Sequence, residues 1–302
     1  MYFSLSKHIK VTAFVAFSSM MSLFATDSMA SEKVMHINFQ FDEFALPIAN
    51  LEIDGKTQNL MIDTGSTIGL HLSKNLMSKI SGLVIEPEKA RSTDLTGKIF
   101  LNDKFNIPQL SINGMMFKNV TGVSLTPWGM KLIGDNNLPS SMVIGLDLFK
   151  GKAVLIDYKS RKLSVSDHLQ ELGVNVDNGW IKLPLRLTKE GIAVKVSQNF
   201  KNYNMVLDTG ASVSMFWKER LKSPSTNISC QAVVQDMDNK GCVASTFQLD
   251  EIGAKGIKLN SVLVDGGFNQ LNTDGLIGNN FFNKYAVLID FPGKQLFIKE
   301  NS

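Results

Sequence analysis

The chain has little of what metal and redox chemistry need: two cysteines and four histidines in 302 residues. The histidines (His8, His36, His71 and His168) are dispersed. No Cys/His spacing suits zinc, so neither a metal nor a cofactor is expected. The formal net charge is only +3, and Lys and Arg are scattered without a basic block. That balance argues against nucleic acid or an anionic membrane as partner. Past Ala30 no stretch is long and apolar enough to cross a bilayer. Ser66 and Ser212 do not sit in Gly-x-Ser-x-Gly, and Asp265-Gly266-Gly267 lacks the spacing of a phosphate-binding loop. Hydrophobic content of 44% and charged content of 20% are ordinary for a globular protein.

The N-terminus has the marks of a secretory signal. Lys7 and Lys10 precede an apolar stretch from Val11 to Ala25, and Ser28-Met29-Ala30 offers small residues for cleavage before Ser31. Residues 1–30 are therefore expected to be a signal peptide and the mature protein to be extracytoplasmic, periplasmic or secreted. The alternative is an uncleaved anchor. After cleavage no stable membrane association is expected. An exported chain puts Cys230 and Cys242 in an oxidising compartment. They flank a candidate hairpin symmetrically about Asp236, which suits a disulfide at its base; the alternative is two free, buried thiols.

What the chain does have is a phrase that occurs twice. Leu60-Met61-Ile62-Asp63-Thr64-Gly65-Ser66-Thr67 returns as Met205-Val206-Leu207-Asp208-Thr209-Gly210-Ala211-Ser212. The aspartates lie 208 − 63 = 145 positions apart, about one small domain. One Asp-Thr-Gly reads equally well as an ordinary turn; two in matching contexts do not. Apolar alternation precedes each copy: Leu46, Ile48, Leu51 and Ile53 before the first, Ile181, Leu183, Leu185 and Leu187 before the second. That is the period of a half-buried strand. Downstream, Met142-Val143-Ile144-Gly145 is echoed by Gly275-Leu276-Ile277-Gly278. Ala153-Val154-Leu155-Ile156-Asp157-Tyr158 is echoed by Ala286-Val287-Leu288-Ile289-Asp290-Phe291. A duplicated β-rich unit accounts for the order of these phrases.

With these motifs the chain resembles the aspartic peptidases, and most closely the retropepsin-like bacterial forms fused as a tandem pair. The resemblance covers roughly residues 40–300. It implies an all-β, bilobal fold with double-psi β-barrel-like, pseudo-symmetric lobes, 31–167 and 168–302, and the site between them. It implies Asp63 and Asp208 as the catalytic pair. It also implies that Thr64 and Thr209 hydrogen-bond across the lobes, and that the apolar-apolar-Gly segments pass close behind the Asp-Thr-Gly loops. Ser141-Met142 in place of Asp274-Gly275 is a mild departure.

Each neighbour of the aspartates has a physical reason. Gly65 and Gly210 allow close approach and free N–H donors. Ser66 is expected to hydrogen-bond Asp63 and favour its ionised form, which Ala211 cannot do for Asp208. Asp208 is then the more readily protonated partner. The Asp-Thr-Gly-Ala variant suggests a mildly acidic optimum. Candidate flaps are the Cys230–Cys242 hairpin and the turn from Thr93 to Lys98. Neither carries the tyrosine of a pepsin-like flap. Trp128 is a candidate for lining a subsite, or for the core. Val34 to Phe41 alternates and predicts an added N-terminal strand, and short helical turns are expected at 74–79 and 218–221. The room before Asp63 is too small for a large inhibitory propeptide.

The reading is an exported aspartic endopeptidase acting on a peptide or protein substrate, monomeric because one chain carries both carboxylates. The alternatives are a non-catalytic peptide-binding protein with a protease-like cleft, or a processing peptidase dedicated to one partner.

Overall fold

The alternation over 34–41 forms the strand Val34–Phe41, with Met35, Ile37 and Phe39 buried. This is a computed structural model, and it describes residues 34–93, 99–126, 141–222, 226–227, 243–249, 256–264 and 271–301. The expectations for the signal segment, the Cys230–Cys242 hairpin and Trp128 fall outside them. Residues 31–302 form one compact unit. The regular structure of the described residues is almost entirely strand, with two one-turn α-helices, Lys74–Met77 and Asn279–Phe282, and short 3₁₀ turns. The first helix and the 3₁₀ turn Lys218–Arg220 stand where short helical turns are expected.

The two halves repeat one topology. In the first, strand Pro47–Ile53 forms a hairpin with Lys56–Asp63. Lys56–Asp63 pairs in parallel with Met142–Gly145, which pairs antiparallel with Leu70–Leu72. Leu70–Leu72 then lies parallel to Met115–Ser124. In the second, Ile192–Gln198 forms a hairpin with Lys201–Leu207. Lys201–Leu207 pairs in parallel with Gly275–Ile277, which pairs antiparallel with Met215–Trp217. Met215–Trp217 lies parallel to Lys258–Val264. The interlocked parallel pairings bring the apolar-apolar-Gly segment beside the motif strand in both lobes.

The strand equivalence differs from the simplest reading of the alternations. The run Ile181 to Leu187 is not the counterpart of the run ending in Ile53. It forms Ile181–Pro184, paired with Gln295–Glu300, and Arg186–Leu187, paired with Ile192–Gln198. It corresponds to Val34–Phe41, which likewise pairs first with Lys162–Ser166 and then with Pro47–Ile53. Period-2 patterning marks a strand but not its partner.

A sheet shared by the halves joins them. Its order is Ile181–Pro184, Gln295–Glu300, Tyr285–Asp290, Ala153–Asp157, Lys162–Ser166 and Val34–Phe41. At its centre Leu155 lies opposite Leu288, with Val154 opposite Ile289 and Ile156 opposite Val287. Leu155 and Leu288 hold the same position of the repeated Ala-Val-Leu-Ile-Asp phrase and the flanking pairs exchange Val and Ile symmetrically, so the pseudo-twofold axis passes between Leu155 and Leu288. One continuous apolar core runs through both halves, from Met35 and Leu51 to Val194 and Ile298.

Candidate active site

Asp63 ends its strand and Asp208 directly follows Leu207, the last residue of the equivalent strand. The parallel neighbour fixes each turn. Asp63 lies beside Gly145, and the Asp208 N–H donates to the Ile277 carbonyl at 2.9 Å. Behind the loops, Leu146 N–H donates to Ser66 O and Asn279 N–H to Ala211 O, both at 2.8 Å. Both apolar-apolar-Gly segments therefore run where the resemblance implies.

The lobes meet through the two threonines. Thr64 N–H donates to the Thr209 hydroxyl and Thr209 N–H to the Thr64 hydroxyl, each at 3.0 Å. The hydroxyls in turn donate across the interface, Thr64 to Leu207 O at 2.9 Å and Thr209 to Ile62 O at 2.7 Å. Both threonines are buried. This closed set of four hydrogen bonds levels the two loops.

The carboxyls of Asp63 and Asp208 are hydrogen-bonded to each other and nearly buried, 4% and 9% exposed. Asp63 Oδ1 accepts from Gly65 N at 2.8 Å and Ser66 N at 3.1 Å. Asp208 Oδ1 accepts from Gly210 N at 2.8 Å. A Cβ on Gly65 would lie 2.5 Å from Asp208 Cγ, and one on Gly210 would lie 2.8 Å from Asp63 Cγ. Each glycine is thus required by the carboxylate of the other lobe.

Burial pushes both carboxyls upward from the ordinary value, because a charge is costly away from water. Asp208 is pushed well above it, with the charge of Asp63 adding to burial. Asp63 is held back by its hydrogen bond with Asp208 and by the Gly65 and Ser66 N–H groups. The expected contact from the Ser66 hydroxyl to Asp63 is not the one formed. The Ser66 hydroxyl bonds His71 Nε2 at 2.8 Å rather than Asp63; it is the Ser66 main chain that reaches the carboxylate. In the second lobe Ala211 N–H meets only the Asp208 main-chain carbonyl, at 3.3 Å, where Ser66 N–H meets both the Asp63 carbonyl, at 3.4 Å, and its carboxylate; the second main-chain donor to Asp208 is Gly65 N–H, from the first lobe.

A second polar bridge crosses the interface without any signal in the sequence. Tyr158 donates to Asn279 Oδ1 at 2.7 Å, and Asn279 Nδ2 donates to Ala45 O at 2.7 Å. The Tyr158 ring packs between Phe39, Phe41 and Phe282. Burial first, then the charges of Asp208 and Asp63, push its phenol well above the ordinary value, so it stays a donor. Since Asn279 N–H also holds Ala211 O, the bridge supports the loop that follows Asp208.

Of the flap candidates, the turn beyond Thr93 lies outside the described residues. Its flanking strands Val84–Thr93 and Ile99–Ile112 do pair as a long antiparallel hairpin. Among the described residues no three His, Cys, Asp or Glu side chains are grouped to hold a metal ion. Nor is any described helix long and apolar enough to cross a membrane.

Comparison with known proteins agrees with this geometry. A family model described as aspartyl protease matches residues 192–281, which include Asp208-Thr209-Gly210 and Gly278. No curated protein sequence matches. Among solved structures, an aspartic proteinase from Irpex lacteus superposes with a TM-score of 0.54 at 13% identity, over 89% of this chain and 98% of that one. Basic 7S globulin from soybean gives 0.56 at 11% identity, over 89% and 95% of the two chains. Conglutin gamma, a basic 7S globulin from lupine seeds, gives 0.54 at 11%, over 90% and 96%. The resemblance to aspartic proteases is borne out, and the fold is theirs. At these identities the likeness is one of fold, and that fold is shared by a proteinase and by seed globulins.

Proposed function

We propose that this chain is an exported aspartic endopeptidase that hydrolyses peptide bonds with water activated by Asp63 and Asp208. One observation carries the reading. Two carboxyls from two equivalent loops are hydrogen-bonded to each other, inside a threonine network that holds them level and between glycines that leave them uncovered. A purely binding role gives no reason for two nearly buried carboxylates facing each other, which cost stability when both are charged.

In this reading the pair shares one proton and titrates as a unit. Asp63, ionised, takes a proton from a bound water as the water oxygen attacks the substrate carbonyl carbon. Asp208, protonated, gives its proton to the carbonyl oxygen, so a neutral gem-diol forms. Asp63 then passes its proton to the amide nitrogen, the C–N bond breaks, and a diol hydroxyl returns a proton to Asp208. No group outside the two carboxyls, water and substrate is needed for the balance. Export rests on the basic, apolar and small-residue order of the first thirty positions.

The test is cleavage of a mixed peptide library by protein beginning at Ser31, from acid to neutral pH, beside Asp63→Asn and Asp208→Asn. Cleavage by wild type, lost in both variants and blocked by a statine-type inhibitor, is the expected result. Inhibitor binding by a folded wild-type protein without any turnover would overturn the general endopeptidase and leave a peptide-binding protein or a peptidase dedicated to one partner.

A further inference from the structure

We propose that His71 is a positioning residue for Asp63: it holds the Ser66 hydroxyl and so keeps the Ser66 N–H directed at the Asp63 carboxylate. The inference rests on the reading of Asp63 and Asp208 as the working pair, and adds what sets them apart.

The geometry runs in one line. His71 Nε2 lies 2.8 Å from Ser66 Oγ, and Ser66 N lies 3.1 Å from Asp63 Oδ1. The hydroxyl's carbonyl acceptor, Ile68 O, is at 3.4 Å, so the histidine contact is the firmer one. His71 sits in the middle of strand Leu70–Leu72, whose leucines are fully buried and fix the strand in the core. Its sheet neighbours are Val123 and Val143, which carry no charge. The titratable groups on the far side of Ser66 are Asp63 and Asp208, with the Tyr158 phenol beyond them. Burial pulls His71 down to about 4, so over most of the acid range it is a neutral hydrogen-bonding group rather than a competing charge.

The second lobe supplies the contrast. By strand pairing, Met215 opposite Leu276 stands where His71 stands opposite Val143. Ala211 stands where Ser66 stands. The polar pair Ser66–His71 is therefore replaced, both members together, by the apolar pair Ala211–Met215. The lobe that has the pair directs two of its own N–H groups at its carboxylate; the lobe without it directs one of its own, Gly210, and Asp208 takes its second from Gly65 across the interface. The exchange makes the two copies of the loop unequal in the donors each supplies to its own carboxylate.

The test uses ¹³C-labelled aspartate to follow the Asp63 and Asp208 carboxyl carbons through a pH titration. The variants are His71→Met, which copies the second lobe's own packing, Ser66→Ala, the double variant, and His71→Gln. His71→Met is expected to raise the proton affinity of the lower-titrating carboxyl about threefold or more, as a charge-assisted hydrogen bond is loosened. Ser66→Ala should do the same, the double variant no more than either alone, and His71→Gln should restore much of the wild-type value. In peptide cleavage kcat should fall with KM little changed. An unmoved lower transition in folded His71→Met, or additive effects in the double variant, would overturn the proposal. The titration needs no turnover. A protein that cleaves nothing in the library yet shows these shifts would set aside the general endopeptidase reading and leave the role of His71 standing.

Discussion

Thr64 and Thr209 hold each other: each main-chain N–H donates to the other's hydroxyl at 3.0 Å across the lobe interface. Neither loop can tilt without breaking bonds in both lobes. Thr64→Val leaves the Thr209 N–H and the Leu207 carbonyl buried without this partner. A loss of about 1–3 kcal/mol in urea unfolding is expected. Thr64→Ser, which keeps the hydroxyl, should recover most of it. Equal stability for the Val and wild-type proteins would show that the network contributes little.

Gly65→Ala places a methyl 2.5 Å from Asp208 Cγ. The carboxyl has to move, and displacement of a reacting group by about 1 Å costs roughly a hundredfold in rate. Peptide turnover should fall by at least that factor while circular dichroism reports a folded chain. Gly210→Ala should behave alike, through Asp63.

The raised carboxyls set a pH dependence of stability. Because Asp208 and Asp63 titrate higher folded than unfolded, the folded state binds more protons, and stability falls as pH rises through those folded values. The contribution is fully present below the ordinary carboxylate range and lost toward neutrality. Asp208→Asn removes the repulsion. Thermal unfolding should find it more stable than wild type at neutral pH, with the gap closing as the pH is lowered. A gap that widens in acid would contradict the assignment.

Tyr158→Phe strips the hydroxyl from Asn279 Oδ1 in a site with both residues buried. About 1–3 kcal/mol of stability should be lost, because the amide oxygen is left unpaired. Asn279→Ala also frees Ala45 O, so its loss should be at least as large. Chemical denaturation of both variants checks the order.

The site was legible where its residues are contiguous in the chain. Asp63-Thr64-Gly65 and Asp208-Thr209-Gly210 name the carboxyls, the bridging hydroxyls and the uncovered face, and Gly145 and Gly278 mark the segments behind them. The remaining parts join residues that are distant in sequence. Tyr158, Asn279 and Ala45 form one bridge from separations of 121 and 234 positions, and no periodicity carries such a link. Ser66 was expected to act by its hydroxyl and acts by its main chain, because His71, five residues on, claims the hydroxyl. The alternation at Ile181 to Leu187 is a true strand signal, yet its partners are set by the shared sheet rather than by the nearer motif.

That shared sheet also orders the assembly of the chain in time. Strand Ala153–Asp157 pairs on one side with its hairpin partner Lys162–Ser166, but on the other only with Tyr285–Asp290, synthesised much later. Until then the first half carries an open edge centred on Leu155, beside which the pseudo-twofold passes. A fragment ending near Asp167 would offer that edge to a second copy of itself, Leu155 against Leu155. The single chain thus closes, within one molecule, an edge that either half alone would leave open.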